Sequence, residues 1–261
     1  MEFKDQMNRV FELYSTPKRI VSLVPSQTEL LCDLGLEDFI VGVTKFCVHP
    51  KHIKKTKIIV GGTKQIKLEK IKELQPDIIL CNKEENTKEI VDSCERICAV
   101  HVSDIKTTDD CLEMIQQYGL LFDSEQKAKE IHESIQKALN QFIQFVSNTP
   151  KLKVAYFIWR DPWMVAGKDT FINYLLALNN FENVFNSKKR YPEVTLEQMP
   201  LVDVVFLSSE PYPFKKKHIN EIQNTVSEKL HIELVDGEMF SWYGSRLLKA
   251  FDYFKRLRES L

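Results

Sequence analysis

The chain has 261 residues, with 36 Lys and Arg against 37 Asp and Glu, and a formal net charge of −1. That balance excludes a global electrostatic pull toward nucleic acid or a membrane surface, and no apolar run approaches the ~18 residues of a membrane span. The 43% hydrophobic content is enough for one large core or two ordinary domains.

The opening stretch, MEFKDQMNRVFELYSTPK, has neither an apolar core nor a small-residue cleavage site, so it does not read as a signal peptide. The expectation is a cytoplasmic protein, or a periplasmic one exported by an unrecognised route. RIVSLVPSQTELLCDLG then reads as a strand over 19–24, a turn at Pro25 and Ser26, and a helix over 26–34 ending near Gly35. Further Ile- and Val-rich runs at 39–44, 57–60, 77–81 and 97–102 are continuous rather than alternating, as in strands covered on both faces. Helical patterns at 68–74, 87–91 and 108–118 separate them, which predicts an α/β region with a mostly parallel sheet.

The rhythm changes at 124–146. There Ala128, Ile131, Ile135, Ala138, Leu139, Phe142, Ile143 and Val146 mark one face of a single helix about 30 Å long. Beyond Pro150 a second α/β region follows: strand 154–159, helix 169–178, short helix 196–199, strand 202–207, helix 215–229, strand 232–235 and closing helix 245–260. The expected organisation is an N-terminal lobe over 1–122, a connecting helix over 123–149 and a C-terminal lobe over 150–261, with the helix as a stiff spine. A weak internal echo relates IKLEKIKELQPDIILC to VTLEQMPLVDVVFLS. In each, a Leu-Glu pair opens a short helix and an Asp leads a strand, making Glu69 and Glu197 equivalent.

Six cysteines (Cys32, Cys47, Cys81, Cys94, Cys98 and Cys111) are expected as free thiols in a reducing compartment. Ser26 and Thr28 stand where the first strand feeds a helix, and Ser26 there caps the helix, contacts a ligand or does both. Cys47 and His49 leave the second strand in GVTKFCVHP, either as metal ligands or as a packed thiol beside an exposed imidazole. Gly61 and Gly62 permit positive φ or the close approach of a ligand beside Thr63. Lysines are dense from 45 to 72, as a solvated face or as an attraction for an acidic ligand. Trp159 and Trp163 follow a strand directly, and Tyr191, Phe240, Trp242 and Tyr243 add aromatics in later loops, with Arg246 opening the last helix. Such aromatics suit a flat, partly apolar ligand. No G-x-S-x-G, HExxH or glycine-rich nucleotide fingerprint occurs, so no enzyme is expected.

Taken in order, RIVSLVPSQTELLCDLG, IVGVTKFCVHP, LEKIKELQPDIIL, VAGKDTFINYLLALNNFENVF and RYPEVTLEQM resemble the substrate-binding proteins of cobalamin and iron-siderophore ABC importers, and most of all the vitamin B12 receptors. The resemblance spans about residue 17 to the C-terminus. It implies a class III periplasmic-binding-protein fold: two Rossmann-like α/β lobes joined by one long backbone helix, with a corrinoid held in a cleft between them. By the match, Phe46 and Tyr191 are ligand-facing aromatics, Ser26 and Gln27 belong to the first cleft loop, and Trp163 belongs to the facing one. Glu69 and Glu197 match acids that pair with arginines of an ABC permease. Thr63 stands where the receptors carry a tryptophan, and His49 replaces another aromatic. Those departures leave haem, a ferric siderophore or a modified corrinoid open. The expected protein is a monomer that binds a small metal chelate and no nucleic acid. The alternatives are an intracellular buffering or regulatory protein without a permease, a relative that has lost its ligand, and a metal-dependent enzyme.

Overall fold

The computed structural model describes residues 1–226 and 230–261, so the last three residues of the helix expected over 215–229 lie outside the described residues. The chain divides into two compact units, Met1–Gln136 with Trp242–Leu247, and Lys137–Ser241 with Leu248–Leu261. The division falls inside the long helix, and a short segment near the C-terminus returns to the first unit.

The first unit opens with a hairpin that the sequence reading did not anticipate, β1 (Glu2–Lys4) and β2 (Val10–Glu12). Asp5 organises it. One carboxylate oxygen accepts from the Met7 and Arg9 amides, and the other from the Arg9 guanidinium and the Val102 amide. The Arg9 guanidinium also donates to the Val100 carbonyl, so the hairpin occupies backbone groups that an edge strand would otherwise leave open. Then come β3 (Ile20–Ser22), α1 (Pro25–Asp33), β4 (Ile40–Val43), α2 (Ile53–Thr56), β5 (Ile58–Ile59), α3 (Leu68–Glu73), β6 (Ile78–Asn82), α4 (Lys88–Glu95), β7 (Ala99–Ser103) and α5 (Thr108–Leu121). The sheet is parallel throughout, in the order β5-β4-β3-β6-β7. Val21, Leu23, Ile79, Cys81, Val91, Cys94 and Val102 form part of its core, as their continuous apolar runs required.

Helix α6 (Glu125–Val146) carries the predicted stripe. Ala128, Ile131, Ile135, Leu139, Phe142 and Val146 are buried, but Ile143 is exposed. At 100° per residue Ile143 sits roughly 80° from the centre of the stripe, beyond its shoulder.

The second unit contains β8 (Leu152–Trp159), β9 (Met164–Val165), α7 (Phe171–Leu178), β10 (Phe181–Asn183), β11 (Val204–Ser208), α8 (Lys216–Thr225), β12 (His231–Val235), α9 (Gly237–Ser241) and α10 (Leu247–Ser260), whose first residue belongs to the first unit. Its parallel strands run in the order β10-β8-β11-β12, with β9 antiparallel on β8. Strands β9 and β10 and helix α9 were too short to give a periodic signal. Thr170 caps α7, its hydroxyl accepting from the Asn173 amide at 3.1 Å. Aromatic rings fill the core: Phe240 packs on Tyr156, Phe206 and Phe254, and Phe142 packs on Phe251 and Phe254.

The internal echo has a structural counterpart. Asp77 accepts from the amides of Lys18 and Arg19 at the start of β3 (2.7 and 2.9 Å), and Asp203 accepts from the amide of Lys153 near the start of β8 at 2.6 Å. Each aspartate leads the strand that pairs beside the unit's first parallel strand, and each donates its own amide back to that strand at 2.8 Å.

The segment Trp242–Leu247 is tied into the first unit by a buried ion pair. Arg246 Nε donates to Glu29 Oε2 at 2.7 Å, with the two side chains 4% and 5% exposed. Gly244, at φ +84°, gives its amide to the Cys111 thiol at 3.0 Å, and Ser245 donates to Asp33 at 2.5 Å.

Arg246→Met should lower unfolding stability by about 3–5 kcal/mol, because it removes the counter-charge of a buried carboxylate, whereas the double change Glu29→Met with Arg246→Met should restore most of the loss. Urea unfolding of the three proteins measures this, and equal losses in the single and double variants would contradict it. Thr170→Ala should cost about 1 kcal/mol in the same assay.

Candidate functional site

In an open parallel sheet, ligands gather at the carboxyl ends of the strands where the chain order reverses. In the first unit that point lies between β3 and β6, because β4 and β5 extend to one side of β3 while β6 and β7 extend to the other. Helix α1 begins there with Pro25 in its first turn, and its N-cap is Val24 with no side-chain cap. Ser26 is therefore not the cap; its hydroxyl bonds Tyr243 instead. Residues Pro25 to Leu31 are all buried. Gln27 Nε2 reaches the Ser103 hydroxyl at 2.7 Å, the Tyr243 hydroxyl at 3.1 Å and the Cys81 carbonyl at 3.3 Å, which joins the ends of β6 and β7 to α1. Burial raises the Tyr243 phenol well above its ordinary range, so it is neutral.

Behind the turn after β6, Asn82 and Asn86 act as a clasp. The Asn82 side chain accepts from the Glu84 and Glu85 amides, and Asn86 accepts from the Asn82 amide while donating to the Thr63 carbonyl at 2.9 Å. This pair was missed in the sequence, where N-x-x-x-N after a strand was its only signal. Gly61 takes φ +121°, and a Cβ there would meet the Gln65 carbonyl at 2.5 Å. Phe46 lies against Gly62 with Lys45 4.9 Å from its ring centroid, and it remains 48% exposed.

The second unit reverses between β8 and β11. Trp159, at the end of β8, is 40% exposed and meets Tyr212 edge-on, with ring centroids 5.7 Å apart. Trp163 is stacked on Phe214 and edge-on to Phe157, so its face is covered within its own unit. The Arg160 guanidinium forms a bidentate pair with Glu221 and contacts Asp161. Tyr212 and His218 were not singled out in the sequence; their hydroxyl and Nε2 lie 3.2 Å apart.

The anticipated residues thus divide into two groups. Phe46, His49, Gly61, Trp159, Trp163 and Tyr191 keep some or much of their surface. Ser26, Gln27, Cys47, Gly62, Thr63, Phe240, Trp242, Tyr243 and Arg246 are buried. Phe240 is a core ring, and Arg246 is held by Glu29 with the Trp242 face 5.0 Å away. Cys47 contacts the Thr28 and Thr44 hydroxyls at 3.1 and 3.3 Å, and burial pushes its thiol up, which disfavours the thiolate a metal needs. His49 is half-buried and edge-on to Trp242 at 5.5 Å. Among the described residues no three or more His, Cys, Asp or Glu side chains group into a metal site, and all six cysteines are free. Glu69, whose side chain is 78% exposed, sits in the first turn of α3 with Lys72 2.8 Å away; Glu197 is exposed in the 3-10 turn Leu196–Gln198.

A family model described as periplasmic binding protein matches residues 20–225. An uncharacterised ABC transporter substrate-binding lipoprotein of Bacillus subtilis is 28% identical over 202 residues, 74% of this chain and 63% of its own length. A vitamin B12-binding protein of Vibrio parahaemolyticus is 28% identical over 188 residues, 70% of this chain and 66% of its own length. The chain thus spans just under two thirds of these two relatives. Among solved structures, a possible iron-binding periplasmic solute-binding protein of Staphylococcus epidermidis superposes with a TM-score of 0.75 at 25% identity, over 94% of this chain and 98% of the other. A periplasmic haem-binding protein of Pseudomonas aeruginosa superposes with a TM-score of 0.81 at 18% identity, over 93% and 92%. Each of these is described as a substrate-, solute-, vitamin B12- or haem-binding protein. The fold is the class III periplasmic-binding-protein fold, and by the extent of the match the chain belongs to the periplasmic binding protein family.

Proposed function

We propose that the chain binds a metal chelate, preferentially a corrinoid, as the substrate-binding component of an ABC uptake system. The observation that carries this reading is the pair of exposed aromatics, Phe46 and Trp159, each at the carboxyl edge of a parallel sheet. An exposed aromatic on a rigid loop offers apolar area that a flat macrocycle covers. Vitamin B12-binding proteins among the sequence relatives support the corrinoid over other chelates. His49 is the candidate donor to the metal of such a ligand, since a chelate already fills most of its metal's positions and one imidazole completes the set. Glu69 and Glu197 are proposed to contact the permease, being exposed and placed alike in the two units.

A second reading, haem or a ferric siderophore, is favoured by Tyr212, a phenol oxygen backed by His218.

Titration with cyanocobalamin, hydroxocobalamin, cobinamide, haemin and ferric siderophores, followed by fluorescence of the three tryptophans and by visible spectra, tests both readings. Saturable quenching by a corrinoid is expected, weakened about tenfold by Phe46→Ala. A visible shift with hydroxocobalamin that His49→Ala abolishes would show direct ligation. Silence with every corrinoid at tens of micromolar would overturn the corrinoid reading.

A further inference from the structure

The turn after β11 brings a tyrosine to the carboxyl end of the second unit's sheet, beside the point where its strand order reverses. Tyr212 is half-buried, and its amide donates to the Ile158 carbonyl near the end of β8 at 3.3 Å. The exposed Trp159 ring stands edge-on to it. His218 backs the hydroxyl from the first turn of α8. It is buried and edge-on to both Tyr212 and Phe214, with ring centroids 5.4 Å from each.

The tautomer of His218 follows from its neighbours. The Lys215 amide can only donate, and it reaches Nδ1 at 2.8 Å, so Nδ1 presents its lone pair. The neutral ring then carries its proton on Nε2, which lies 3.2 Å from the Tyr212 oxygen and donates to it. Burial holds the imidazole below its ordinary value; Lys217 and Arg160 act the same way, and Glu221 opposes them. The Tyr212 oxygen therefore receives a hydrogen bond while its own proton lacks an acceptor, because among the described residues His218 is the one hydrogen-bonding partner of that hydroxyl. Such an O–H is suited to donate to a ligand oxygen, and the bond it receives strengthens it as a donor.

Resting on the binding-protein reading above, we propose that Tyr212 is a specificity-determining contact that donates to a carbonyl or carboxylate oxygen of the ligand, and that His218 is its positioning residue, fixing the direction of that bond. A ligand that presents only N–H or O–H donors there meets an oxygen that His218 already engages.

The test uses the whole chain with cyanocobalamin, whose rim carries carboxamide carbonyls, and with haemin, whose rim carries carboxylates. Tyr212→Phe should weaken binding about fivefold, the worth of one hydrogen bond. His218→Phe should weaken it similarly, yet change affinity by less than about twofold when Tyr212→Phe is already present. 3-Fluorotyrosine in place of Tyr212, a more acidic phenol, should tighten binding. Nitrogen NMR of the His218 ring at neutral pH should show Nδ1 bare and Nε2 protonated. The opposite tautomer, full affinity in Tyr212→Phe, equal losses from His218→Phe in both backgrounds, or binding unchanged or weakened by the fluorinated phenol would overturn this inference while leaving the binding-protein reading intact. A tyrosinate-to-iron band with haemin that Tyr212→Phe removes would place the oxygen on the metal and overturn it too. Absence of binding by both probes and by ferric siderophores would overturn both.

Discussion

Two opposite charges almost wholly removed from water, Glu29 and Arg246, set the architecture of the first unit. Neither is tolerable there alone, so the loop that carries Arg246 must return to α1 whenever the unit is folded. That return brings Tyr243 onto Gln27 and Ser103, and Gly244 onto Cys111. The polar groups of α1 and of the ends of β6 and β7 are thereby bonded to one another in a small network that includes Tyr243, which is 216 positions from Gln27 in sequence. A network of this kind fixes a surface rather than forming one: its members are buried, and the side chains that keep contact with solvent stand in front of it.

The same principle operates in both units at different scales. A parallel sheet aligns all its strand ends, and reversal of the strand order beside the first strand opens a gap between neighbouring loops. An aspartate at the head of the next strand, Asp77 or Asp203, fixes the amino end of the first, leaving the carboxyl end free to vary. Variation is what is found there. The first unit offers Phe46, a glycine turn and lysines; the second offers Trp159 with Tyr212, and an arginine already matched by Glu221.

Much of the fold was legible because its strands are continuous apolar runs and its helices are periodic. The exceptions have physical causes. The β1–β2 hairpin has strands of only three residues, and Asp5 ties it to the sheet through the Val102 amide, which no local pattern reveals. Strand β10 is equally short. The site was legible only as a set of loops. Aromatic residue type did not distinguish Phe240, which is core, from Trp159, which is exposed, since both follow or precede strands in similar surroundings. Cys47 looked like a ligand beside His49, yet two threonine hydroxyls from different elements enclose it. Tyr212 was overlooked because its significance lies in what folds against it.

The return of Trp242–Leu247 also bears on how the chain acquires its structure. The first unit lacks its arginine counter-charge and its buried tyrosine until the Trp242–Leu247 segment, which follows the strands of the second unit, has been made. Contacts of such sequence separation are closed late, at a cost in chain entropy. A sheet whose strands are complete by residue 103 therefore lacks its full set of buried partners until the Trp242–Leu247 segment closes onto it.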